Sequence, residues 1–266
     1  MPDHQQNAIT MTVLGSGSGG NCVLVETART RVLVDAGFSG MQIRKRLEAV
    51  GRSLEEVQAV LVTHEHIDHV AGLKVLAGRL GLPVYCNEQT REFLRGDLAD
   101  YEGWKLFRSG DAFTVGDLEV ESFPVPHDAY DPVAFTLAAG GRKVGILTDL
   151  GYATRLAVEK VRGCDALLLE ANYDLDLLRL DGKRPWSVKQ RIQSRHGHLS
   201  NQMAAEVALE VAGDRLRHLF LGHLSQDCNR PELARAVVEA RLAGAGVTGV
   251  TVLDTHQDGP VGPLAL

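Results

Sequence analysis

Thr63-His64-Glu65-His66-Ile67-Asp68-His69 places three histidines and two carboxylates in seven residues, directly after the strand-like apolar run at 57–62 and ahead of a helical pattern at 70–80. A loop leaving a strand is where such side chains converge. Alternate residues His64 and His66 share a side while the turn swings Asp68 and His69 toward a second centre, so H-x-H-x-D-H provides donors for two neighbouring metal ions. Imidazole and carboxylate without thiolate suit zinc, and also iron or manganese. Glu65, pointing between the histidines, is taken as a non-ligand. Two ions need more donors than one loop holds. His127 after Ser-Phe-Pro-Val-Pro, Asp149 after Val-Gly-Ile-Leu-Thr and His223 after Leu-Phe-Leu-Gly each follow an apolar strand and complete the set. An aspartate such as Asp149 can bridge two cations ~3.5–4 Å apart.

Outward from the loop, the chain reads as strands mixed with helices. Runs at 12–14, 22–26 and 31–34 predict an antiparallel opening sheet. Ser39 with Gln42 and Ser53 with Glu56 form capping-box patterns, the first before a helix at 43–50 that Gly51 closes. Further strands are expected at 83–86, 112–115, 118–125, 133–138 and 143–148, the last two joined by an Ala-Gly-Gly hairpin. Buried strands at 166–169 and 219–221, helices at 203–211 and 231–242, and a closing strand at 250–253 follow. Tight hairpins argue against a strictly alternating parallel sheet and for an α+β arrangement of sheets flanked by helices. No linker divides the chain, so 1–266 is expected to form one domain.

Composition bounds the function. The 266 residues include 28 Lys+Arg against 34 Asp+Glu, a net charge of -6, with 44% hydrophobic residues. A chain this long buries roughly 70–75% of its unfolded surface and needs no staples. The acidic balance argues against a generally basic nucleic-acid binder, though it says nothing of local patches. Four cysteines without a C-x-x-C pair fit neither a disulfide framework nor a thiolate zinc site. The start MPDHQQNAIT carries no export signal, and no run approaches ~18 apolar residues. A cytoplasmic protein with no membrane association is therefore expected.

Asp35 in Val-Leu-Val-Asp-Ala-Gly, the histidine loop, His127, Asp149 and His223 occur in the order found in the metallo-β-lactamase fold superfamily, which the chain resembles over almost its whole length. The resemblance implies an αββα four-layer sandwich with metals at one edge between the sheets. It implies that His64, His66, His127 and Asp149 hold one ion and Asp68, His69, Asp149 and His223 the other, with Asp35 supporting the histidine loop from behind. Lactamases of this fold usually carry Arg or Cys where His69 stands, so that branch is disfavoured. Glyoxalase-type thioesterases share the full ligand set and stay open as an alternative, as does a non-catalytic metal-binding regulator.

Two features outside the ligand set point to phosphodiester chemistry. Glu170 ends the run 166–169, and Gly197-His198-Leu199-Ser200-Asn201 precedes a helix. The two resemble the Glu and His pair of RNase Z-like phosphodiesterases, in which the carboxylate orients a histidine that protonates the leaving oxygen. Asp68 is counted with them as catalytic. The most specific resemblance is to the YycJ/WalJ-like proteins, carried by Gly-Ser-Gly-Ser-Gly-Gly-Asn at 15–21, the histidine loop, His-Asp-Ala at 127–129, Thr-Asp-Leu-Gly at 148–151, Ser-Arg-His-Gly-His-Leu-Ser-Asn at 194–201 and Gly-His-Leu-Ser at 222–225. It implies a two-metal 5'-to-3' DNA exonuclease with a part in DNA repair, acting on DNA or, as a second option, RNA. The 73 residues between Asp149 and His223 leave no room for a β-CASP domain. Residues 182–205 contain no acid, and there Lys189, Arg191, Arg195, His196, Ser200 and Asn201 are the candidate substrate contacts, with Trp186 able to stack on a base. The glycine turn at 15–20 lacks a following helix and is taken as a tight turn whose amides approach phosphate rather than as a nucleotide-binding loop. Asn229 is expected to cap the helix after Pro231.

Overall fold

Strands covered on both faces read as unbroken apolar runs, and residues 32–34, 59–61, 166–169 and 219–221 are of this kind. In the computed structural model, which describes residues 9–266, they lie inside two seven-stranded sheets. The first sheet is built from β1 (Thr10–Gly15), β2 (Cys22–Glu26), β3 (Arg31–Val34), β4 (Ala59–Leu61), β5 (Val84–Asn87) and β6 (Trp104–Phe107). The second contains β7 (Ala112–Val115), β8 (Leu118–Pro124), β9 (Val133–Ala139), β10 (Arg142–Leu147), β11 (Ala166–Glu170), β12 (His218–Gly222) and β13 (Thr251–Asp254). The last strand, β14 (Val261–Ala265), crosses back to pair antiparallel with β1.

Alternation along each strand sorts the core into three layers. Val32, Val34, Leu61, Leu168 and Phe220 meet between the sheets, where Phe135 and Ile146 join them. Leu33 and Val60 face outward under α1 (Gly40–Ala49), α2 (Ile67–Val70) and α3 (Leu73–Leu76), with α4 (Glu88–Leu94) against β5 and β6. Leu167, Leu169, Leu219 and Leu221 face the opposite helix layer, in which α5 (Arg155–Val161), α8 (Asn201–Val211) and α9 (Pro231–Gly244) pack. Helix, sheet, sheet and helix make the expected αββα sandwich. Two short helices, α6 (Leu175–Leu180) and α7 (Trp186–Ile192), stand in the 174–193 segment.

Several elements differ from expectation. The 70–80 pattern holds one short helix, α3, which is separated from α2 at Ile67–Val70 by a turn at Gly72, whose amide donates to the Ala36 carbonyl at 2.7 Å and where a Cβ would lie 2.5 Å from the Phe38 oxygen. The strand at 250–253 is not the closing one, since β14 follows it. Short amphipathic segments at α4, α5, α6 and α7, and strand β6, carried too weak a period to be seen. Ser39 caps α1 through the Gln42 amide alone, whereas Ser53 and Glu56 form the full box. Asn229 is no helix cap. Its amide pairs reciprocally with Asn201 and donates to the Ala171 carbonyl, and Arg230 occupies the cap position of α9. Residues 1–8, on which the expectation of no export signal rests, lie outside the described residues.

All four cysteines are free and buried, and burial pushes the Cys86 and Cys164 thiols up to about 12. The native protein is expected to show no rapid thiol titration with a disulfide reagent at pH 8, and four thiols once unfolded. Phe135→Ala, at a fully buried position between the sheets, is expected to cost about 3–5 kcal/mol in urea unfolding. A cost below about 1 kcal/mol would contradict its placement in that layer.

Candidate active site

Parallel pairing brings strand ends to one edge. Val34 of β3 lies beside Leu61 of β4, Leu147 of β10 beside Leu169 of β11, and Glu170 beside Gly222 of β12. The residues that leave these ends are Asp35, the loop 63–69, Asp149 and His223. Asp35, Asp149 and His223 all adopt left-handed backbone, with φ of 62°, 59° and 53°. Each such residue costs about 1–2 kcal/mol, a strain that clusters at functional sites. Gly37 lets the turn after β3 pass against the histidine loop, since a Cβ there would meet the Asp68 carbonyl at 1.7 Å.

Hydrogen bonds fix which ring nitrogen faces the centre. His69 donates from Nδ1 to Asp35 Oδ2 at 2.8 Å, and the Thr63 amide donates to Asp35 Oδ1 at 2.8 Å. Thr63 Oγ1 donates to Asp35 and lies 3.0 Å from His64 Nδ1, which assigns the His64 proton to that side. His127 Nδ1 donates to the Gly197 carbonyl at 3.1 Å, and His223 Nδ1 to Glu170 Oε1 at 2.8 Å. The Nε2 atoms of these rings are thereby left as lone pairs, and they face acceptors. His69 Nε2 is 3.3 Å from Asp149 Oδ2; His223 Nε2 is 3.4 Å from Asp149 Oδ1 and 3.3 Å from Asp68 Oδ2; His127 Nε2 is 3.4 Å from His66 Nδ1.

Lone pairs facing lone pairs need a cation or a proton between them. His64 Nε2 and Asp149 Oδ2 are buried without any hydrogen-bond partner. His64, His66 and His127 converge as one set of donors, and Asp68, His69 and His223 as another, each within 4.8 Å. This donor set fits divalent metal ions. Burial opposes charge on His69 and His223, but Asp149 and its neighbouring carboxylates overcome it and raise both, His223 to about 10. Burial first, then His69, drives His64 well below its usual value.

His198 stands beside this cluster, its Nδ1 2.7 Å from Glu170 Oε1. A cleft of about 170 Å³ is lined by His66, Asp68, His127, Asp149, His198 and His223, together with Ser18, Arg184 and Arg191. A larger hollow of about 600 Å³ lies beside α3 and residues 97–103, away from all of them. The expected substrate contacts divide. Arg191 lines the cleft, while Arg195 and His196 are exposed near it in sequence, Arg195 lying over the Tyr152 ring at 4.6 Å.

Three others are turned inward. Lys189 is buried, with its amine donating to the Arg179 and Asp181 carbonyls; Ser200 caps α8 through the Met203 amide; Asn201 is fully buried against Asn229. The 15–20 turn offers no amide to phosphate either. The amides of Ser16, Gly17, Ser18, Gly19 and Gly20 donate to His256, Asn21, Leu224, Gln257 and Gly17 respectively.

Sequence patterns missed the residues that hold the ligands. Thr63 and the Gly197 carbonyl orient rings, Asn172 donates to the His223 carbonyl at 2.7 Å, and Glu65 accepts from the Tyr130 amide at 2.9 Å, tying the 127–131 loop to the histidine loop. Glu65 makes this contact away from the donor sets, in keeping with a non-ligand.

A family model described as a beta-lactamase superfamily domain matches residues 30–223. The chain is 40% identical over 255 residues to the exodeoxyribonuclease YycJ of Bacillus anthracis, covering 95% of this chain and 96% of that one. It is 39% identical to the exodeoxyribonuclease WalJ of Streptococcus pneumoniae, covering 93% and 94%. The chain belongs to the YycJ/WalJ family of the metallo-β-lactamase superfamily. The fold agrees with the metallo-β-lactamase fold protein YhfI from Bacillus subtilis, with a TM-score of 0.75 at 20% identity, covering 96% of this chain and 99% of that one. In this member of the YycJ/WalJ family the donor cluster sits at the edge where the ends of β3, β4, β10, β11 and β12 meet.

Cation binding must displace protons from His69 and His223, so loading zinc at pH 7–8 is expected to release protons, with affinity rising with pH. Calorimetry in two buffers of different ionisation enthalpy measures the release; identical apparent enthalpies would contradict it. Asp149→Ala is expected to lower bound metal by more than tenfold by elemental analysis after desalting, since second-row partners alone cost about 10- to 100-fold.

Proposed function

We propose that the chain is a metal-dependent exodeoxyribonuclease that takes two divalent ions, zinc foremost with manganese or iron as alternatives, and removes nucleotides from the 5' end of DNA. The observation that carries this is His198. Its Nδ1 is fixed by Glu170, which leaves Nε2 as the nitrogen able to give a proton within the cleft beside the donor cluster. Phosphodiester cleavage needs such a proton for the departing alkoxide, whereas a thioester's thiolate leaves readily without one. Near full-length identity to proteins named exodeoxyribonucleases supports the DNA substrate. The core shared by both sheets supports treating 1–266 as one domain.

When bound, the ions supply charge neutralisation at phosphorus and a lowered pKa for the attacking water. His64, His66, His127 and Asp149 are the proposed ligands of one, and Asp68, His69, Asp149 and His223 of the other. Asp35 holds His69 in its ligating tautomer. Asp68, less buried than the other carboxylates of the cluster, orients the attacking water. His198 protonates the leaving oxygen, and Glu170 keeps its ring in line. Arg191, Arg195 and His196 meet the phosphates of the strand.

End-labelled linear DNA, RNA and a thioester, each with and without chelator, test this directly. Stepwise, chelator-sensitive loss of nucleotides from the 5' label of DNA is expected; cleavage of the thioester alone would remove the nuclease assignment. His198→Ala is expected to keep its metal and lose roughly 10²- to 10⁴-fold in turnover. Undiminished turnover in that variant would exclude His198 as the acid.

A further inference from the structure

The cleft has two compartments. The metal-side hollow of about 170 Å³ and a second of about 210 Å³ share Asp128, Arg191, Ile192 and His198, and the second adds Val188 and Gly197. At the shared boundary, Arg191 Nε of α7 donates to Asp128 Oδ2, in the loop that carries His127. No other charge of the acid-free stretch is placed this way. Lys183 pairs with Asp227, Arg184 with Asp181 and Asp227, and Lys189 is held by backbone carbonyls. Asp181 and Asp227 do not line the cleft, but Asp128 does.

The Arg191 side chain is 65% exposed, so its pair with Asp128 is weak and exchanges easily. A terminal phosphate carries close to two charges and three acceptor oxygens, against one charge on Asp128, and can take both arms of a guanidinium. His198 lines both compartments. If it protonates the leaving oxygen, as the proposed function on which this inference rests holds, the leaving nucleotide extends past it into the second compartment. That hollow is below the ~300 Å³ of pockets for drug-sized ligands, so it suits one bounded unit rather than a continuing strand.

We propose that the second compartment binds the leaving terminal nucleotide and that Arg191 exchanges Asp128 for that nucleotide's end phosphate, so that the Arg191–Asp128 pair reads phosphorylated DNA ends. Asp128 then acts as a stand-in for phosphate, keeping Arg191 poised at the boundary, where a strand without an end phosphate gains less from displacing it.

The test uses metal-loaded protein and fluorescent oligonucleotides with phosphorothioate linkages, carrying a 5'-phosphate, a 3'-phosphate or neither, with binding read by anisotropy. Wild type is expected to bind the 5'-phosphorylated strand about tenfold more tightly than the 3'-phosphorylated or the unphosphorylated strand. Arg191→Ala is expected to abolish that preference and Arg191→Lys to keep part of it, because an ammonium offers charge without the fork. Asp128→Asn, by freeing the guanidinium, is expected to enlarge it several-fold. Equal affinity for all three strands, a preference for the 3'-phosphorylated strand, undetectable binding, or an unchanged preference in Arg191→Ala overturns the proposal. Cleavage of ordinary DNA by the same preparations is followed in parallel. Cleavage without an end preference rejects the role of this pair and leaves the nuclease assignment standing, whereas an end preference without cleavage does the reverse.

Discussion

The Asp149 carboxylate is buried with one oxygen toward His69 and the other toward His127 and His223, and the sandwich is arranged to hold that charge away from water. Burying an ion costs several kcal/mol even after the surroundings relax. Left-handed backbone at Asp35, Asp149 and His223 adds about 1–2 kcal/mol at each. Against this stand three apolar layers, in which each fully buried Leu, Val or Phe contributes about 1.5–3 kcal/mol. A small domain with one layer would lack that surplus. Two sheets bring strand ends to the same edge from opposite sides, which allows one carboxylate to face rings contributed by four different segments.

Residue types that must do chemistry were legible, and residues that position them were not. His64, His66, Asp68, His69, His127, Asp149 and His223 could be picked out because each follows an apolar run, and a polar donor at a strand end has few other uses. Thr63 and Asn172 are ordinary as letters; only the fold shows that one receives the His64 proton and the other ties down the His223 backbone. The acid-free stretch 182–205 misled for the same reason. Lys189 counts as a free cation along the chain, yet it closes the C-terminal carbonyls of α6, and Lys183 and Arg184 find Asp227 more than forty residues away. A local charge run says little about a surface when its counterions come from distant loops. The glycine turn at 15–20 failed similarly, its amides being satisfied by side chains and carbonyls near residues 224, 256 and 257.

The net charge of -6 takes on a different meaning in three dimensions. Asp68 and Asp149 belong to the donor cluster, where His64, His66, His69, His127 and His223 surround them, and Asp35 is engaged by the His69 ring behind it. Arg184 and Arg191 in the cleft wall are already engaged by Asp181, Asp227 and Asp128. A net negative charge of this size gives no long-range attraction for a polyanion, which leaves the cleft's own side chains as the positive groups nearest the donor cluster.

Glu170 links the two halves of the chemistry. Its Oε1 accepts from both His198 and His223, while its Oε2 accepts from the Leu150 and Leu199 amides, so both oxygens are engaged in a fully buried setting. The alternation of β11 explains its place, for residue 170 shares the inter-sheet face with Ala166 and Leu168 and sits where that strand reaches the site. A carboxylate tied at both oxygens has little freedom to rotate. The His198 ring and the His223 ring of the donor cluster are therefore set against each other by one rigid group. The Leu199 amide comes from the residue after His198, so the segment that carries His198 is held by the same carboxylate that orients its ring. Shifting Glu170 would displace the His198 ring, the His223 ring and the segment at Leu199 together, which is why a strand end in the middle of the second sheet, rather than a surface loop, carries it.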